Sequence, residues 1–182
     1  MKKLLLGVTM LLIAVIANAQ TDVTKFMGIP VDGTKAEILS KLREKGFKSS
    51  YTMGADCLEG VFNGVDVYVF PQTNGNKVCR IGVLYKNTLD EQQVKIHFNR
   101  LCQQFANNGK YQAIANNQEI PESENIQYKI TVNKKQYEAG FIQLPYDKNK
   151  IVWFMITEQR YNKYSIAIFY DNGYNQANGE DL

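Results

Sequence analysis

The chain is poor in the side chains on which most enzyme chemistry depends. Its 182 residues hold one histidine, His97, and three cysteines, Cys57, Cys79 and Cys102. No Gly-x-Ser-x-Gly elbow frames any serine, so a serine-hydrolase triad has no local nucleophile signature and only one imidazole to serve it. His97 and Cys102 stand five residues apart on a predicted helix, off a common face, which argues against a Cys–His pair. The cysteine spacings of 22 and 23 residues match no metal-ligand motif, and zinc would have to recruit carboxylates. No metal site and no cofactor is expected. No glycine-rich phosphate loop precedes a predicted helix, and Asp171-Asn172-Gly173 lacks the alternating ligands and distal Glu of a calcium loop. Runs of five or six like charges are also missing, so no basic stripe exists to displace counterions and nucleic acid is not an expected partner.

The first nineteen residues carry what is present most clearly. Lys2 and Lys3 open the chain, an apolar run follows over 4–16, and Ala17-Asn18-Ala19 supplies a small-x-small cleavage pattern before Gln20. That is a secretory signal peptide, too short and wrongly flanked to span a membrane. No cysteine lies near the cut, so lipid attachment at a new N-terminus is excluded. The expected product is a soluble periplasmic or secreted chain of 163 residues, 182 less nineteen. Losing Lys2 and Lys3 from the 21 Lys+Arg leaves 19 against 18 Asp+Glu, close to neutrality. A chain of this size can bury about two-thirds of its unfolded surface without needing a disulfide or metal. An oxidising compartment permits one disulfide, but three cysteines leave at least one thiol over. The alternative is that all three are small apolar packing residues.

Residues 20–33 read as an irregular lead. Thr34-Lys35-Ala36-Glu37 is a capping box, followed by an apolar stripe at Ile38, Leu39 and Leu42 and a left-handed stop at Gly46. Asn63-Gly64 between two apolar runs predicts a two-residue hairpin, with Phe62 facing Val65, Gly60 facing Val67 and Leu58 facing Val69. Leu58, Phe62, Val65, Val67 and Val69 then share a core face. Cys57, Glu59, Val61, Asp66, Tyr68 and Phe70 share the other. A third strand follows over 78–85. Thr88-Leu89-Asp90-Glu91 reads as a second capping box, opening a helix to about Ala106 with a Val94, Phe98, Leu101, Phe105 stripe. Residues 109–125 read as an exposed loop. Four strands are expected over 126–132, 135–144, 150–157 and 163–170, with a turn at Asn133-Lys134 placing Lys129 opposite Glu138. The fold class is α+β, an antiparallel sheet covered on one face by two helices. The repeated helix-plus-meander order points to one domain over 20–170 built from tandem units, 26–86 and 87–170. A flexible tail is expected over 171–182.

Two features bear on function. Eleven tyrosines are either strand formers or a binding surface, several of them falling on predicted strands: Tyr68, Tyr85, Tyr128, Tyr137, Tyr164 and Tyr170. The run 151–156, which includes Trp153, is apolar on both parities, so this strand is covered on both faces or contributes an apolar patch. Glu59, Asp66 and Glu138 are the carboxylates a glycosidase would need, in a domain with no evident deep cleft. His97 reads as a partly buried structural residue.

The stretch Gly33-Thr34-Lys35-Ala36-Glu37-Ile38 with Leu42 and Gly46 resembles the helix-opening signature of the β-lactamase-inhibitor-protein-like fold. That group includes secreted β-lactamase inhibitors and a small outer-membrane-assembly lipoprotein. The run Phe26-Met27-Gly28-Ile29-Pro30-Val31-Asp32-Gly33-Thr34 also resembles small exported proteins of unknown function from Gram-negative gut anaerobes. The resemblance implies a tandem helix-plus-meander fold. The lipoprotein's N-terminal Cys has no counterpart here and no inhibitory loop can be matched, so neither activity carries over.

The expectation is therefore an exported, non-catalytic binding protein whose aromatic sheet face holds a protein or glycan partner, with Glu59, Asp66, Tyr68, Phe70 and Trp153 as binding residues. The alternatives are an envelope-assembly accessory with a structural role and, third, a small hydrolase.

Overall fold

The computed structural model describes residues 22–115 and 119–177. The predicted signal peptide with its cleavage site, and the end of the predicted tail, lie outside the described residues. A small antiparallel hairpin comes first, β1 (Lys25–Phe26) and β2 (Ile29–Pro30), where an irregular lead was expected. It is ordered by burial: Phe26 and Val31 are fully enclosed, and the Phe26 ring meets Phe62 and Tyr170 at centroid distances of 5.1 and 4.9 Å.

Helix α1 (Lys35–Glu44) starts as its capping box dictates. The Thr34 hydroxyl accepts from the Glu37 amide, and the Glu37 carboxylate accepts from the Thr34 amide at 2.7 Å. Ile38, Leu39 and Leu42 are buried, each contributing about 1.5–3 kcal/mol of apolar burial. Gly46, at φ 96°, stops the helix in the left-handed region, and the Phe47 amide donates back to the Leu42 carbonyl.

Strands β3 (Lys48–Ser49), β4 (Leu58–Phe62), β5 (Val65–Asn74) and β6 (Lys77–Tyr85) form an antiparallel meander. The β4–β5 register is the one that Asn63-Gly64 imposes, since Asn63 and Gly64 both take positive φ. Cys57, expected on the outer side, is buried just before β4. Helix α2 (Glu91–Ala106) follows, two residues later than the sequence suggested. Asp90, not Thr88, is its N-cap, and Gln93 closes the reciprocal bond. Thr88 loses the role because Leu89 is held extended, exchanging both backbone bonds with Tyr164.

The second half departs furthest from expectation. Part of the predicted loop is a strand, β7 (Tyr111–Ala113), and 126–132 is not a strand, because α3 (Ile126–Thr131) occupies it. Asn125 caps α3 through the Tyr128 amide, while the Glu91 carboxylate on α2 accepts from the Ile126 amide at 2.7 Å. Those two acceptors satisfy helix-start donors that a strand would spend elsewhere. The predicted Lys129–Glu138 pairing therefore does not form. Strands β8 (Glu138–Gln143), β9 (Lys150–Glu158) and β10 (Tyr164–Asn172) complete the chain, and Glu138 lies opposite Met155. Asp171 and Asn172, expected in a loose tail, end β10 and are buried, and a short 3₁₀ turn follows at Gly173–Asn175. The Asn172 side chain is held by the Val31 carbonyl, and Asn175 by Asp32 and the Val78 carbonyl.

The main sheet has the order β3-β4-β5-β6-β10-β9-β8-β7, antiparallel throughout. Each half opens with a helix and contributes four strands, the second half with α3 between β7 and β8, and the halves join last strand to last strand. Helices α1 and α2 lie on one face of this sheet, over a core that runs from Leu58, Val67 and Val69 through Ile168 to Phe154 and Phe141. The fold is α+β, as its sequence pattern requires. Segment 119–125 packs against α2 on the same side: Asn99 exchanges two bonds with Ile120, and the Lys95 ammonium donates to the Glu122 and Glu124 carbonyls.

Candidate binding face

Alternation along the strands sends the second set of side chains to the face away from the helices. Strand β9 shows it most plainly. Lys150, Val152, Phe154 and Ile156 are buried on the core side, whereas Ile151, Trp153, Met155 and Thr157 are half-buried on the other side. The apolar run on both parities is thus a core row on one face and a patch on the other.

Cross-strand register assembles these outer residues into rows. Glu59, Tyr68, Leu84, Ala167, Met155 and Glu138 form one. Phe70, Gly82, Phe169, Trp153 and Gly140 form the next, a span of roughly 20 Å at 4.8 Å per strand. The third runs Gln72, Arg80, Asp171, Ile151, Ile142. The middle row sets two glycines, Gly82 and Gly140, among three aromatic residues. The Phe70 ring lies over Gly82, where an added Cβ would sit 2.5 Å from it. Only a glycine there lets the ring lie flat on the strand.

At the centre sits an interlocked cluster. The Asp171 carboxylate takes Arg80 side-on, with Nη2 at 2.8 Å from Oδ2, and accepts the Trp153 indole N–H at 2.9 Å. The guanidinium lies 4.8 Å from the Phe169 ring centre and 5.4 Å from that of Trp153, and the two rings pack 4.4 Å apart. Asp171 keeps the Arg80 guanidinium protonated beyond its ordinary range. A buried carboxylate with three donors is fully compensated, and each cation–ring contact adds about 0.5–2 kcal/mol. The rings are therefore held in place by contacts within the sheet itself.

All five residues expected to bind share this outer face. Tyr68 is half-buried, its ring beneath the Lys86 ammonium at 5.4 Å and its hydroxyl 3.3 Å from Thr52. Glu59 is tied to Lys86 at 2.9 Å, which raises the lysine above its usual value, and Asp66 is exposed beside them. Phe70 follows Tyr68 on β5. Trp153 lies three strands from Phe70 and belongs with residues not anticipated: Phe169, Arg80 and Asp171. Phe169 falls within the expected strand 163–170, whose parity carries a signal for it, whereas ending that strand at Tyr170 hides Asp171. Of the strand tyrosines, Tyr85, Tyr137, Tyr164 and Tyr170 are core and Tyr128 is exposed on α3, so Tyr68 alone of that set lies on the outer face of the sheet.

The reactive side chains are held in quiet states. The three cysteines are free thiols, and burial pushes Cys57 and Cys79 up and Cys102 up to about 12. His97 sits edge-on to Tyr85 at 5.8 Å, and burial, with Arg100 nearby, lowers its pKa. Glu59 and Glu138 are five strands apart, roughly 24 Å, which rules out that pairing of the three candidate carboxylates, whereas Glu59 and Asp66 are diagonal neighbours on β4 and β5. Among the described residues no group of three or more His, Cys, Asp or Glu could hold a metal, and no helix is long and apolar enough to cross a membrane. Set against known proteins, the chain matches no family model, no curated protein and no solved structure.

Proposed function

We propose that this chain is an exported, non-catalytic binding protein, and that the outer face of its sheet holds a protein or glycan partner. One observation carries the reading: the Ile151, Trp153, Met155 row and the Tyr68–Phe70 row are half-exposed on a face that neither long helix covers. Soluble chains seldom leave a contiguous aromatic surface bare, and aromatic residues with arginine dominate the energetics of protein interfaces. The Arg80–Asp171–Trp153 cluster supports the same reading, because pre-set rings lose little entropy on binding. The resemblance of Gly33–Ile38 to the β-lactamase-inhibitor-protein-like signature is in keeping with a tandem sheet used as a docking surface.

Tyr68→Ala tests the proposal. Capture of the partner from the native envelope should weaken while the melting temperature stays within a few degrees of wild type. An unfolded variant would make Tyr68 a core residue and end the binding-face reading. Export has its own check: N-terminal sequencing of the protein from its host should begin at Gln20, and a mature protein retaining Met1 would refute it.

A further inference from the structure

A second feature of the outer face lies where Trp153 borders Gly140. The Ile114 side chain lies over Gly140, where an added Cβ would sit 3.1 Å from it, and beside them a depression of about 300 Å³ is lined by Ile114, Ala115, Glu138, Ala139, Gly140 and Trp153. We infer that this slot takes the side chain of a lysine or arginine from a polypeptide partner, with the indole and the Glu138 carboxylate holding the cation. The inference rests on the proposed binding face and specifies its occupant as a basic polypeptide.

Size comes first. About 300 Å³ is the lower end of ligand pockets, enough for one long side chain and too little for several sugar rings. The lining comes second. Ile114, Ala139 and Gly140 are apolar and suit a methylene stem, as lysine and arginine provide beneath a charged head. The indole already meets the Arg80 guanidinium, which Asp171 neutralises, and its one N–H is given to the same carboxylate, so no donor on the ring opposes a cation at the slot. Glu138 is exposed and has no ion-pair or hydrogen-bond partner among the described residues.

Charge balance on the whole face points the same way. Lys86 is spent on Glu59 and Arg80 on Asp171, and Lys48, exposed directly opposite Glu59 on β3, is a third cation at that end. Asp66 therefore shares its end of the sheet with Lys48 and Lys86, whereas Glu138, at the other end, lies opposite Met155 and makes no ion pair with a described residue. A basic partner would neutralise Glu138, with its apolar middle on Phe70, Phe169 and Trp153.

Trp153 is the chain's only tryptophan, so its fluorescence reports on the slot. The probes are N-acetyl-arginine amide and its neutral isostere N-acetyl-citrulline amide, titrated into the chain as isolated from its host. Arginine should give a saturable change, with citrulline about tenfold weaker. Glu138→Gln should bring arginine down to the citrulline level with an unchanged melting temperature, since that carboxylate supports nothing else. Gly140→Val should block the slot, and its far-ultraviolet circular dichroism shows whether the fold is kept. Equal affinity for both compounds, no saturable response to arginine, or an arginine response that survives Glu138→Gln would each overturn the inference. Tyr68→Ala lies at the other end of the sheet, so its capture assay separates the two readings. A failed slot with Tyr68-dependent capture intact removes the basic side chain but leaves the binding face standing.

Discussion

Arg80 and Asp171 are direct cross-strand partners on β6 and β10, 91 positions apart in the chain, and their side chains close a salt bridge over the middle of the sheet. Because the same carboxylate also receives the Trp153 indole, this pair ties the two halves of the molecule together and orients its only tryptophan. Asp171→Asn should cost about 1–3 kcal/mol, since it leaves a half-buried guanidinium without a counter-charge. Urea denaturation measures the loss, and a red shift of Trp153 emission should accompany it. Arg80→Lys should recover only part, because an ammonium cannot grip the carboxylate side-on.

The two helix starts give a paired test. Thr34→Ala and Asp90→Ala should each destabilise by about 1 kcal/mol, the usual effect of a lost N-cap. Thr88→Ala should have almost no effect, although the same four-residue pattern surrounds it. Equal losses at Thr88 and Asp90 in chemical denaturation would contradict the observed cap.

His97 makes stability sensitive to pH near neutrality. Burial lowers its folded pKa below the ordinary 6.5, so the unfolded chain takes up a proton first as the pH falls. The stability it contributes is complete above the unfolded value and is lost as pH drops through the folded one. The urea midpoint should therefore decline from about pH 7.5 to about pH 5.5, and His97→Phe should flatten that decline. An identical slope in the variant would exclude this histidine as its source.

Lys150 and Asp22 give a second pH dependence, at acid pH. The Lys150 side chain is 2% exposed and donates to Asp22 at 2.6 Å, and this bond holds the Asp22 carboxyl below 3.8. A depressed carboxyl contributes stability above its unfolded pKa and loses it as pH falls through the folded value. Asp22→Asn should destabilise at neutral pH by stranding a buried ammonium. Lys150→Met should be close to neutral there and should remove this part of the acid sensitivity. Midpoints at neutral pH and at about pH 3 distinguish the two.

What could be read from the sequence was local. Asn63-Gly64 set the β4–β5 register to the residue because a two-residue turn leaves no slack, and Thr34 with Glu37 wrote the start of α1 within four positions. The same reasoning misread 126–132, whose Ile126, Tyr128, Ile130 and Val132 alternate as a strand should. That segment is helical because Glu91, thirty-five residues earlier, accepts its first amide, and tertiary contacts overrode local preference. The candidate site divides in the same way. Glu59, Asp66, Tyr68 and Phe70 follow from one hairpin's parity. Phe169, Arg80 and Asp171 depend on β6 finding β10, a long-range register that no local pattern encodes.

The small N-terminal hairpin has a consequence for the order in which the molecule is completed. The Thr24 hydroxyl bonds the Asp171 carbonyl, 147 residues later, and the Val31 carbonyl receives the side chain of Asn172. A chain made from its N-terminus therefore exposes Phe26 and Val31 long before their enclosing strand exists. Each meander can assemble from neighbours as it emerges, but the first dozen described residues must wait for the last strand. Docking of that leading segment is thus a late folding event, and a chain truncated before β10 would present an apolar N-terminus to any chaperone or protease nearby.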